Sequence, residues 1–266
     1  MSTPPEADAF YIPLDGNRFV STGHTSGPWD PALQHAGPPS ALLARSIEQT
    51  PSPWPATVMT RVAIDLLGPV PVAEIAVTTQ VVRSGRSVEL VQAELSSGGR
   101  VAARATAWRV RRADLALPDG PAMHAADVAP PEFPATEAAR PPGWTGGYLN
   151  AMEWRVAHGS WEEPGPATMW GRMRHPLLPG EEPTGWQRVL TIADSGNGVS
   201  NVLSLDWFFI NTELTVHLAA EPAGEWICLD AATRVDTAGF GLASSRLFDR
   251  DRLVARGAQA LYVGQR

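Results

Sequence analysis

Between residues 56 and 110 the chain alternates apolar and polar positions in four stretches, the period-two pattern of half-buried strands. Val58 to Leu67 alternates until Pro69 and Pro71 break it, and Ala73 to Val82 is rich in Val, Ile and Thr. Val88 to Leu95 and Val101 to Val110 flank Ser96-Ser97-Gly98-Gly99, which predicts a hairpin. Ser84-Gly85-Arg86-Ser87 predicts the turn before it. Ahead of these strands, Gly37-Pro38-Pro39-Ser40 opens a helical pattern through Ala41, Leu42, Leu43, Ala44, Ser46 and Ile47. First-turn prolines suit a helix because they give up only amides without intrahelical partners, and Pro51 should end it. The leading residues 1–30 are rich in Gly, Ser, Thr and Pro, with a short strand expected near Phe19 and Val20. One helix followed by four antiparallel strands predicts an α+β unit whose sheet wraps the helix.

The same order then recurs. Residues 113–147 are rich in Pro, Ala, Gly and Glu and read as a connector. Beyond it come two extra strands (Tyr148 to Val156, Ala167 to Arg174) and a helix from Thr184 to Asp194. Strands are expected over 202–220, 225–235, 240–249 and 252–264. Val101–Val110 matches Val254–Val263, and the pre-proline stretch Arg61–Pro69 matches Glu213–Pro222, at an offset of about 150 residues. Where the first copy has Thr106 the second has Gln259, and where the first helix has Arg45 or Ser46 the second has Asp194. This asymmetry predicts a duplication: a first half, 1–112, with a degenerate site, a connector, 113–147, and a second half, 148–266, with the reactive residues.

Composition narrows the chemistry. The net charge is −7, and the basic residues cluster only at Arg109, Arg111 and Arg112, so nucleic acid is not an expected partner. All 21 basic residues are arginine, which excludes a Schiff-base lysine, a pyridoxal phosphate anchor and a Walker-A lysine together. No apolar run approaches the roughly 20 residues that span a bilayer. The leading residues carry no basic, then apolar, secretion pattern, and a lone Cys228 fits a reducing compartment, so a cytoplasmic protein is expected. His24, His124, His158 and His175 have no ligand-like spacing, so neither a metal nor another cofactor is expected.

Several short motifs carry a family resemblance. In the first half they are His35-Ala36-Gly37-Pro38-Pro39-Ser40-Ala41-Leu42-Leu43 at the helix start and Gly85-Arg86-Ser87 before the third strand. In the second they are Trp170 and Arg172, Pro179-Gly180-Glu181, Ile192-Ala193-Asp194, Gly224-Glu225-Trp226-Ile227 and Ala258-Gln259. In this order, over about residues 20 to 264, the chain resembles the double-hotdog acyl-CoA thioesterases of the TesB type. The resemblance implies two helix-wrapping antiparallel sheets joined into one pseudo-dimer, an acyl-CoA substrate, and homo-oligomers of such protomers as a further partner.

Thioester hydrolysis needs a positioned water, a group that takes its proton and donors for the developing oxyanion. The resemblance implies an Asp, a Gln and a Thr around that water, and these fall on Asp194, Gln259 and, for want of a hydroxyl at Phe209 or Ile210, Thr212. Thr215 is the next hydroxyl, on the opposite strand face. The amide of Gly37 is the candidate donor to the substrate carbonyl, and His35 could contact a phosphate or that carbonyl. Two other readings stand beside hydrolysis: an acyl-CoA-binding hotdog whose site has decayed, and a hydratase or dehydratase using His217 as base.

Overall fold

The computed structural model describes residues 8–118, 128–139, 146–204 and 206–266. The parts of the expected connector at 119–127 and 140–145 lie outside them. Two short strands, β1 (Tyr11–Pro13) and β2 (Arg18–Ser21), lead into α1 (Gly37–Gln49). Four long strands follow: β3 (Thr57–Leu66), β4 (Glu74–Ser84), β5 (Val88–Ser97) and β6 (Arg100–Arg111). The second half runs α2 (Tyr148–Ala151), β7 (Met152–His158), β8 (Ala167–Met173), α3 (Gly185–Ala193) and α4 (Gly196–Val199). It ends with β9 (Trp207–Asn211), β10 (Glu213–Leu218), β11 (Ile227–Asp236), β12 (Phe240–Phe248) and β13 (Leu253–Gln265).

All thirteen strands form one antiparallel sheet in the order β1-β2-β4-β5-β6-β3-β10-β13-β12-β11-β8-β7, with β9 also paired to β13. That order reads the same from either end about the β3–β10 junction if each strand of one half is matched with its counterpart in the other. The junction is a regular ladder, with Ile64 opposite Leu214 and Asp65 opposite Glu213. Inward-facing residues of β3, β5, β6, β10 and β11 pack with α1 and α3 in one continuous core. Most of α1 is buried, from Gly37 to Ala44 and at Ile47, as expected of a helix enclosed by a sheet.

The two helices cross where α1 begins and α3 ends. A Cβ on Gly37 would lie 2.4 Å from the carbonyl oxygen of Thr191, so only glycine permits this approach. At the other end of the pair, Glu48 of α1 accepts hydrogen bonds from the Thr184 hydroxyl and the Gln187 amide. Burial raises the Glu48 pKa against those bonds.

Tyr148–Ala151, expected as the start of a strand, is helix α2, and the sequence pattern and the structure differ in two further places that matter for the site. The stretch expected as one strand, 202–220, is two strands that both lie along β13, since Asn211 pairs with Leu261 and Thr215 with Ala258. Four steps on one side match three on the other, so one extra residue is accommodated near Thr212, and a bulge of this kind reverses the inward-outward alternation. The second difference is Gly196–Val199, which folds as α4 immediately after α3. Thr106 and Gln259 are also not structural counterparts: the inward residues of β6 around that position are Ala103, Ala105 and Ala107, whereas Gln259 faces inward on β13.

Candidate active site

Asp194 caps the C-terminus of α3 and is buried at 4% exposure, yet it lines a cavity of about 820 Å³. Its carboxylate is held from two sides. The side-chain amide of Asn211 donates to Oδ1 at 2.8 Å, and Nδ1 of His35 stands 3.0 Å from Oδ2. A carboxylate has about four lone-pair directions, so two stay available to a molecule in the cavity. Asn211 reaches this position through the bulge. With Leu214 and Val216 facing the core, unbroken alternation would turn residue 211 outward, and the extra residue turns it in instead.

His35 is fixed by three contacts. Its backbone amide donates to the carbonyl of Thr25, and its ring stacks on Tyr148 with centroids 3.8 Å apart and planes 8° from parallel. Nδ1 also lies 3.1 Å from the amide nitrogen of Gly37, which donates to it. A ring nitrogen has one in-plane direction for a proton or a lone pair. With a proton, Nδ1 donates to Asp194; without one, it accepts from Gly37. Burial lowers the His35 pKa below the ordinary imidazole value, and the Asp194 charge pulls the other way.

Tyr148 supports this pair from behind. Its hydroxyl donates to the carbonyl of Thr191 and lies 3.0 Å from Ser195 Oγ, so it ties α2 to the end of α3. Burial holds that phenol well above its usual pKa, which keeps it a neutral donor. The backbone before it is also constrained: Gly147 has φ of 67°, and a Cβ there would lie 2.3 Å from the Ser26 carbonyl oxygen.

Gln259 meets residue 194 differently from the expectation. Its amide nitrogen donates to the main-chain carbonyl of Asp194 at 3.1 Å, and its oxygen accepts from the Asn197 amide at 3.1 Å. A Cβ on Gly196 would lie 2.6 Å from that oxygen. Gln259 therefore clamps the α3–α4 turn and is not among the residues lining the cavity. Asn197 extends the clamp by donating its side-chain amide to the carbonyl of Phe209.

The remaining sequence candidates are spread more widely. Thr212 lines the cavity, with its hydroxyl donating to the Ala260 carbonyl at 3.2 Å. Thr215 is on the outer sheet face, bonded to Glu213, and His217 is exposed on that same face. Gly37 does not line the cavity, and its amide points to the His35 ring. Cys228 is buried against Trp170 and Phe248, and burial pushes its thiol pKa up.

His24 and His175, unrelated by spacing, do come together. Their rings stack with centroids 4.0 Å apart, and Asp8 lies 3.3 Å from His175. Their planes are 18° apart, and rings so nearly parallel do not converge their in-plane lone pairs on one ion.

Apolar and aromatic side chains make up most of the cavity wall, among them Trp29, Leu33, Leu66, Leu149, Trp161 and Phe209. No arginine is among the described residues that line it. An acid with one histidine and one amide partner, in the wall of an apolar cavity, suits proton transfer to and from water beside an apolar substrate.

The comparisons with known proteins agree with this class. The family profile of the acyl-CoA thioesterase N-terminal domain matches residues 25–110, and that of the C-terminal domain matches residues 125–263. The chain belongs to the acyl-CoA thioesterase family and is a thioester hydrolase. No curated protein matches the sequence. Among solved structures, a hot dog fold protein of unknown function from Alicyclobacillus acidocaldarius superimposes with a TM-score of 0.72 at 16% identity, covering 97% of each chain. Acyl-CoA thioesterase II TesB2 from Mycobacterium marinum gives 0.64 at 14% identity, covering 97% of this chain and 96% of its own. The tesB protein of Mycobacterium avium subspecies paratuberculosis gives 0.65 at 16%, covering 95% of each. These likenesses show the hotdog fold, here as a large antiparallel sheet with few helices.

Proposed function

We propose that this protein hydrolyses acyl-CoA thioesters with neutral, apolar acyl groups, and that Asp194, His35 and Asn211 hold the attacking water. The observation that carries the reading is the Asp194 carboxylate, anchored by Asn211 and His35 in the wall of an apolar cavity. The two halves act as a double hotdog, and the palindromic strand order supports that arrangement. The first half contributes His35 and the second Asp194 and Asn211. The counterpart end of the helix pair, occupied by Glu48, Thr184 and Gln187 bonded to one another, is the degenerate site.

In the reaction, a water bound to Asp194 gives up a proton to the carboxylate and its oxygen adds to the thioester carbonyl carbon. The tetrahedral intermediate then expels sulfur, which takes the proton back and leaves as the thiol. The acyl group departs as a carboxylic acid. His35, with its proton on Nδ1, donates to Oδ2 of Asp194 and holds the carboxylate in place while it takes and returns the proton of water. Gln259 acts here through Asp194 and Asn197, by setting the end of α3. Thr212 is kept as a cavity-wall residue whose hydroxyl could be released from Ala260 to a substrate.

The mostly apolar wall and its own acids, Asp30, Glu162 and Asp194, favour a neutral acyl group over one that carries a second carboxylate. The test is a panel of acyl-CoA esters that differ in chain length and in a terminal carboxylate, followed by release of free thiol. Hydrolysis of neutral acyl esters, with carboxyl-terminated esters at least about 10-fold slower, is expected. Binding without thiol release would favour the decayed-site reading, and hydration of an enoyl-CoA without hydrolysis would favour the hydratase.

A further inference from the structure

A second cavity, of about 440 Å³, lies against the first and has no part in the hydrolysis described above. One side of it is the connector, from Pro134 to Ala139, and the other is Val156 of β7 with Gly159 and Ser160 of the β7–β8 loop. Among the described residues, the two cavities have only Trp161 and Glu162 in common. Glu162 is exposed, whereas Trp161 is half-buried and packs against the main core. The Trp161 ring therefore stands between the two spaces.

Several contacts hold that ring in place. It meets Trp154 edge to face, with centroids 5.5 Å apart and planes at 88°. Trp154 in turn fits because residue 171 is glycine: a Cβ there would lie 2.9 Å from the Trp154 ring. The loop that bears Trp161 is closed at its neck, where a Cβ on Gly159 would lie 2.8 Å from the Pro166 carbonyl oxygen. Near its end, the amide of Gly165 donates to the carbonyl of Asn201 at 2.7 Å. A ring braced in this way acts as a fixed wall.

The space beyond the ring is equally well constructed. The connector that closes it is bonded to β7: the Ala138 amide donates to the Trp154 carbonyl at 2.7 Å, and the Arg155 guanidinium donates to the carbonyls of Pro134 and Ala135. Its described wall is mainly small and apolar, with two acids, Glu137 and Glu162, and no cation. Glu137 is paired with Arg174. Such a wall suits the end of a neutral alkyl chain and disfavours the phosphates of coenzyme A.

Resting on the hydrolase reading of the first cavity, we propose that Trp161 is the stop that sets acyl-chain length, and that the second cavity is the space it withholds. An acyl chain that runs from Asp194 along the first cavity ends against the indole. A small residue at 161 joins the two spaces into one channel. The second cavity has about half the volume of the first, so the joined channel accepts chains longer by several carbons. One methylene in an apolar pocket is worth roughly 10–200-fold in discrimination, so a fixed stop selects sharply between neighbouring lengths.

The experiment measures kcat/KM for thiol release from straight-chain acyl-CoA esters of increasing length. The proteins are wild type, Trp161→Phe, Trp161→Ala, Ala135→Trp and the double variant Trp161→Ala with Ala135→Trp. In Trp161→Ala, the ratio of kcat/KM for esters longer than the wild-type optimum to that at the optimum should rise at least about 10-fold, with Trp161→Phe in between. Ala135 lines the second cavity alone, so Ala135→Trp should leave the wild-type profile within about 3-fold and cancel the gain in the double variant. Calorimetric binding of the same esters to Asp194→Asn, with and without Trp161→Ala, should show the same shift without turnover. An unshifted length profile overturns the proposal. So does a loss shared equally by all lengths, which makes Trp161 a brace for Trp154, or a gain that survives Ala135→Trp. Thiol release with no shift refutes the stop alone, and a shift in binding with no thiol release by wild type refutes the hydrolase reading alone.

Discussion

At the residue scale, the site depends on where one proton sits. His35 Nδ1 faces Asp194 and the Gly37 amide at nearly equal distances, and it can serve only one of them at a time. Burial lowers the His35 pKa from its usual 6.5, so the folded protein binds fewer protons there than the unfolded chain does. This contribution to stability is fully present above the unfolded value and is lost as pH falls through the folded value. Thermal melts between about pH 7.5 and 5 should show the wild type losing more stability toward acid than His35→Asn. Parallel melting curves for the two proteins would remove His35 from this role. Sequence reading found both His35 and Asp194 but not the bond between them, because helix α1 and helix α3 meet only in the folded chain. It missed Asn211 for a different reason. Period-two alternation was extended through Thr212, and one added residue reverses the face of everything before it.

At the scale of elements, Gln259 shows how a residue can be legible while its task is not. Its place in the last strand, between Ala258 and Ala260, follows from the chain pattern. Its task follows from α4, which four residues with two glycines do not announce. The amide bridges the carbonyl of Asp194 and the amide of Asn197, so truncating it strands two buried backbone groups. Gln259→Ala should cost about 2–4 kcal/mol and lower turnover through a displaced Asp194. Denaturant titration alongside kinetics checks this. An undiminished midpoint with a large loss of turnover would instead make Gln259 a direct partner of the water. The longer elements were readable throughout: α1, β5 and β6 lie close to their expected limits, since long periodic stretches leave few alternatives.

At the scale of the molecule, the proposed duplication accounts for the continuous sheet and for a polar cluster at each end of the helix pair. The strand order is palindromic, and the two helices run antiparallel with one polar cluster at each end of their crossing. At one end Glu48 is bonded to Thr184 and Gln187; at the other Asp194 is bonded to Asn211 and His35 in the cavity wall. Sequence reading expected Thr106 and Gln259 as counterparts, and that match is one register out, because strand facing is set by ladders the sequence does not display. The central claim is that the Asp194 carboxylate takes the proton of the attacking water. Steady-state release of thiol from an acyl-CoA ester by Asp194→Asn, which preserves shape and removes the base, tests it most directly. The account predicts kcat lowered at least about 100-fold with KM little changed; turnover within a few-fold of wild type would contradict it.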